Sequence, residues 1–76
     1  MLDEKTRELI AVACSVTANC HPCAKFHMSK ARQLGLADEA IQQAAAVGQT
    51  VRKGAASEMD KLLAELAERK EDRQES

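Results

Sequence analysis

The chain is 76 residues long, which limits it to one domain, and a domain of that size buries only about 60% of the surface its unfolded form exposes. Its 11 basic and 12 acidic side chains are interspersed, for a net charge of −1, and Phe26 stands without any Trp or Tyr; neither the basic stripe nor the aromatic platform that nucleic acid requires is present. No apolar run approaches the ~20 residues of a membrane span, and Met1-Leu2-Asp3-Glu4-Lys5 lacks the apolar core of a signal peptide, so the expected location is the cytoplasm, with no membrane partner.

Residues 3–18 have the spacing of an amphipathic helix. Leu9, Val12, Ala13 and Val16 fall at i, i+3, i+4 and i+7, which makes one buried stripe. Asp3 is the expected N-cap, with acids in the first turn where they meet the positive end of the helix dipole. Thr17-Ala18-Asn19 reads as the break, with Asn19 as the cap of the next helix. That second helix is expected over 20–34. Pro22 suits its first turn, where a missing N–H costs nothing. Gly35 comes directly after it, as a glycine closing a helix should. Cys20, Cys23, Ala24, His27, Ala31 and Leu34 share one face of this segment.

A third helix is expected over 38–53, with Asp38 as N-cap and Ile41, Ala44, Ala45, Val47-Gly48 and Val51 as its apolar stripe. Arg52 and Lys53 suit a helix C-terminus. Gly54 is expected to break or bend the chain. Ser57 and Asp60 resemble a capping box with Asp in place of Glu, and Met59, Leu62, Leu63 and Leu66 then repeat at helical spacing. No β-type alternation appears. The expectation is an all-α fold of three or four helices in one domain over residues 1–66, with a charged tail, 67–76, that frays or is disordered. Bulky apolar side chains are few and Ala fills many apolar positions, so a lone copy would be marginal and self-association is the expected remedy.

Three cysteines is an odd number, which disfavours a fully paired secreted scaffold. In a reducing cytosol a Cys-x-x-Cys pair is more often redox-active or metal-binding than a permanent staple. Cys20 and Cys23 sit at the start of a helix, where unpaired N–H groups and the dipole favour a thiolate. His21, when protonated, favours it further. The same His-Pro dipeptide separates the cysteines of a strongly oxidising thioredoxin-fold protein, but that fold needs a βαβ framework that this chain lacks. Cys23 is one turn in, near enough to resolve a mixed disulfide or sulfenic acid at its partner. His27 lies at i+4 from Cys23 and i+7 from Cys20, and imidazole is the side chain suited to move protons near neutral pH. If the first two helices pack antiparallel across Asn19, Glu8 can approach His27 and orient it.

Glu8 with Cys20-x-x-Cys23-x-x-x-His27 resembles the active-site signature of the alkylhydroperoxidase D-like / carboxymuconolactone decarboxylase superfamily. Residues 5–13, KTRELIAVA, are similar to the family's helix leading into the motif, and residues 34–41, LGLADEAI, to its subsequent linker and helix. The resemblance spans roughly residues 2–63. It implies an all-helical unit that assembles as trimers or hexamers. It implies a peroxidase or disulfide reductase of antioxidant type, acting on a hydroperoxide or disulfide substrate, with catalytic residues Cys20, Cys23, His27 and Glu8. A dithiol donor, a lipoyl group or a thioredoxin-like protein, would re-reduce the pair, and no cofactor or metal is called for. The chain departs from the hydroperoxidase prototype in being much shorter. It also has Pro22 where the prototype has a histidine before its second cysteine, so no role passes to His21. The decarboxylase branch usually lacks the cysteine pair, which disfavours that reaction.

Blander readings exist for each residue. Cys20, Cys23 and His27 could be three ligands of a structural zinc in a helical oligomeric module without turnover, with Cys14 or another subunit supplying a fourth. His27 could be a hydrogen-bonded core histidine, and Glu8 a surface acid opposite Lys5 or Arg7. His21 could be exposed filler or a tuner of the thiolate. Cys14 reads as a small buried apolar residue. For the first attack, dipole and exposure favour Cys20, and proximity to His27 favours Cys23.

Overall fold

The computed structural model describes residues 1–69, among which there are three α-helices and no strand. These are α1 (Glu4–Thr17), α2 (His21–Gln33) and α3 (Asp38–Glu68). The expected tail from residue 70 onward lies outside the described residues.

Asp3 caps α1 as expected, its Oδ1 accepting the Thr6 N–H at 2.7 Å. Asn19 does not cap α2. It closes α1 instead, in the left-handed region at φ 57°, which Asn tolerates better than most residues other than glycine. The Asn19 N–H donates to the Val16 carbonyl and the Cys20 N–H to the Ser15 carbonyl, both at 3.0 Å. Those two bonds make a Schellman closure. Gly35, at φ 89°, repeats it at the end of α2, with Gly35 N–H to Arg32 O and Leu36 N–H to Ala31 O. Cys20 therefore falls at the N-cap of α2 by default, without a side-chain capping bond. Ala37, not Asp38, is the N-cap of α3, and the Asp38 carboxylate accepts from Arg32 Nε at 3.4 Å.

Gly54 neither breaks nor ends the third helix. α3 runs through it to Glu68, so the Ser57–Asp60 capping box does not form. A mid-helix glycine costs about 0.5–1 kcal/mol relative to Ala. That is too little to stop a helix whose later residues, from Ala55 onward, are mostly strong helix formers.

The core is small. Val12, Ala31 and Ile41 are fully buried, with Leu9, Met28, Leu36, Ala44 and Ala45 packed against them. Gly48 lets α1 and α3 approach: a Cβ there would collide with the Ala13 carbonyl and lie 2.8 Å from Val16 Cβ. At the same crossing the Thr17 hydroxyl is 3.2 Å from the Gly48 carbonyl. One turn on, the Arg52 guanidinium donates to the Val16 carbonyl at 3.1 Å and to Asn19 Oδ1 at 3.4 Å. Arg52 thus satisfies the end of α1 instead of ending its own helix. Cys14 is exposed, contrary to its expected burial. Every residue from Lys53 to Arg69 is exposed as well.

Candidate redox site

The reversal at Ala18-Asn19-Cys20 lays α2 back along α1. Glu8, Val12 and Ser15 recur at i, i+4 and i+7 on the buried side of α1, so the acid belongs to the stripe that faces inward. Glu8 is 8% exposed, which removes its reading as a surface acid. A buried carboxylate is tolerable only when its oxygens are partnered, and both are. Oε1 lies 2.8 Å from His27 Nδ1, and Oε2 lies 3.8 Å from Lys30 Nζ. A carboxylate can only accept, so Nδ1 holds the proton of this bond, and in a neutral ring the lone pair is then on Nε2. Phe26 sets its ring edge-on to that of His27 at 5.0 Å.

Cys20 and Cys23 are joined in a disulfide with their Cα atoms 5.3 Å apart. The ring spans the N-cap and the third residue of α2 and encloses His21 and Pro22. Cys23 is exposed and Cys20 half-buried, so exposure favours Cys23, the reverse of the expectation from sequence. Cys20 lies at the edge of a groove of about 210 Å³ whose lining includes Ser15, Asn19, His21, Ala24 and Arg52. His21 is exposed there.

The structure thus brings Glu8 to His27 and Cys20 to Cys23, with His27 one helical turn past Cys23. Cys14 lies apart from the pair, in a separate apolar groove with Ile10 and Val51. Among the described residues no group of three or more His, Cys, Asp and Glu side chains is arranged to hold a metal ion. Two residues of the site carry no warning in the motif. Lys30 is at i+3 from His27, a spacing that places it beside the same carboxylate. Ser15, at i+7 from Glu8, is 6% exposed and gives its hydroxyl proton to the Ala11 carbonyl at 2.7 Å.

The sequence profile of the carboxymuconolactone decarboxylase family matches residues 1–68. The chain belongs to that family, which includes peroxidase-like members. It is also 40% identical over 68 residues to "Uncharacterized protein 4 in cox locus" of Paracoccus denitrificans, an alignment covering 88% of this chain and 61% of the relative. The chain therefore spans less than two thirds of the length of that relative. No solved structure matches it significantly. No helix among the described residues is long and apolar enough to cross a membrane.

Proposed function

We propose that the protein is a thiol-dependent peroxidase or disulfide reductase in which Cys20 and Cys23 cycle between dithiol and disulfide. One observation supports this above the rest. The cysteine pair closes at the N-terminus of α2, one turn before a histidine whose Nδ1 is bonded to a buried glutamate.

In the reduced protein Cys23 is the better-placed nucleophile, being exposed and one turn from His27. His27 Nε2 takes the Cys23 thiol proton, and Glu8 stabilises the imidazolium that results. With a hydroperoxide, the sulfur bonds to the terminal oxygen as the O–O bond breaks. The leaving alkoxide takes the proton from His27 and departs as an alcohol, leaving a sulfenic acid on Cys23. The Cys20 thiol then attacks that sulfur, water leaves, and the disulfide forms. With a disulfide substrate the first attack gives a mixed disulfide and one thiol, and Cys20 releases the second. A dithiol donor, a lipoyl group or a thioredoxin-like protein, returns two electrons and two protons to the pair. A reducing cytoplasm would keep such a donor charged. The fixed N–H groups and dipole at the start of α2 favour the thiolate each step needs.

The test is turnover of hydroperoxides and small disulfides with a panel of dithiol donors. The wild-type protein should turn over, and Cys20→Ser and Cys23→Ser should not. His27→Ala should lose roughly two orders of magnitude or more. Wild-type rates no higher than those of the serine variants would overturn the proposal. So would stoichiometric zinc that survives dialysis and shields the thiols until a chelator is added.

A further inference from the structure

We propose that the groove at the start of α2 is where the reductant enters, and that Arg52 selects a small dithiol carrying a carboxylate. This rests on the redox reading above and adds to it the kind of molecule that returns the electrons and the sulfur it attacks. Of the two bridged cysteines, Cys20 lines the groove and Cys23 does not. A thiol seated there meets the Cys20 end of the bridge.

The donor thiolate bonds to Cys20 Sγ as the Cys20–Cys23 bond breaks, and the bonding pair leaves with Cys23 as a thiolate. A protonated His27, one turn past Cys23, supplies its proton. The donor's second thiol then attacks the donor's own sulfur in the mixed disulfide. Cys20 leaves as a thiolate at the N-cap of α2, where the N–H groups and dipole of the helix stabilise it. The donor departs as a cyclic disulfide. It has lost two electrons and two protons, and the protein has gained them, the protons by way of His27 and water.

Arg52 supplies the selection. Its Nη1 makes both of its hydrogen bonds, to the Val16 carbonyl and Asn19 Oδ1. Both acceptors are neutral, and no ion pair among the described residues includes Arg52. Those two bonds fix the guanidinium in place and leave its other N–H donors for a ligand. No Asp or Glu lines the groove, and Arg52 is its one permanent charge. The Ser15 hydroxyl proton is already committed to the Ala11 carbonyl. A half-buried guanidinium without a carboxylate beside it is a recognition group for one. The size of the groove sets what comes with that carboxylate. Its volume of about 210 Å³ is below the ~300–1,000 Å³ of pockets that enclose drug-sized ligands. It accommodates a short stem ending in one anionic group.

The probes for a test are dihydrolipoate and dihydrolipoamide, which share one dithiol and one stem and differ in carboxylate against amide. Each is mixed with the oxidised full chain, and the appearance of free Cys20 and Cys23 is followed by alkylation and mass spectrometry. This is a single stoichiometric reduction, so it is read whether or not the protein turns over peroxides or disulfides. At low ionic strength the acid should reduce the wild type roughly tenfold faster than the amide, the effect of one charge-assisted hydrogen bond at a partly solvated site. Added salt should narrow the gap. Arg52→Met should equalise the two probes, and Arg52→Lys should retain part of the preference. The ratio is taken within each protein, so a variant loosened by loss of the Val16 and Asn19 bonds still gives a reading, because loosening changes both rates alike. For the point of attack, the oxidised wild type is treated with mercaptopropionate and quenched with N-ethylmaleimide. The mercaptopropionate should be found on Cys20 and the maleimide on Cys23. An acid no faster than the amide in wild type, a ratio unchanged in Arg52→Met, or the mercaptopropionate on Cys23 would each overturn the proposal.

Discussion

His27 Nδ1 lies 2.8 Å from Glu8 Oε1, although 19 residues separate the two in sequence. The bond ties α1 to α2, and it leaves the far nitrogen of the ring outside the contact with Glu8. Glu8→Gln keeps the shape and an acceptor oxygen but removes the charge that steadies an imidazolium. Peroxide or disulfide turnover should fall about 10²-fold, with the circular-dichroism spectrum unchanged. Turnover equal to wild type would remove Glu8 from the relay.

The cysteines should separate in single-turnover trapping. Cys20→Ser retains the exposed Cys23 beside His27, so one equivalent of peroxide should leave a sulfenic acid on Cys23 that dimedone captures, detected by mass spectrometry. Cys23→Ser should yield little adduct. The opposite distribution would assign the attack to Cys20.

Two glycines of α3 should respond to the same substitution with opposite signs. At Gly48 an added methyl group meets the Ala13 carbonyl and Val16 Cβ. Gly48→Ala should therefore destabilise the fold by about 1–3 kcal/mol, a typical overpacking cost. At Gly54 an added Cβ meets nothing within 4 Å, and Gly54→Ala should stabilise by roughly 0.5–1 kcal/mol through helix propensity and unfolded-state entropy. Thermal melts of the two variants against wild type check both signs.

Asp3 supplies a pH-dependent contribution. The backbone N–H of Thr6, donating to its carboxylate, holds its pKa below the ordinary value of 3.8. A carboxyl with a depressed folded pKa stabilises the native state above the unfolded pKa and loses that contribution as pH falls through the folded one. Asp3→Ala should accordingly melt below wild type at neutral pH. The gap should close as the pH is lowered past 3.8 into the range where Asp3 protonates. Melts at a series of pH values would show it, and a gap unchanged down to strongly acid pH would contradict it.

Much of the fold is legible from residue spacing. The i, i+3, i+4 stripe of α1, Pro22 in the first turn of α2 and Gly35 after its end each obey local rules, and local rules decide them. The Glu8–His27 approach is conditional on antiparallel packing, which the left-handed residue Asn19 delivers. Asn19 itself is ambiguous in sequence because Asn serves equally at a helix start and at a left-handed closure, and only the Cys20–Ser15 backbone bond chooses between them. Gly54 misleads because glycine's cost is small beside the propensity of the residues around it. Arg52 acts across helices, 36 residues from Val16, at a separation that periodicity along one helix does not report. Cys14 is exposed because it lies off the Val12–Ser15 side of α1, along an open groove that α3 borders with Val47 and Val51.

Gly48 touches no sulfur, no imidazole and no carboxylate, yet it governs how deeply α3 seats against α1. That seating decides whether Arg52 reaches Val16 and Asn19, and Asn19 is the residue immediately before Cys20. A lesion at Gly48 should therefore mimic an active-site defect in any screen that reads only turnover. Stability measurements would be needed to expose it as a fault of alignment, transmitted to the thiol pair through a guanidinium and a turn.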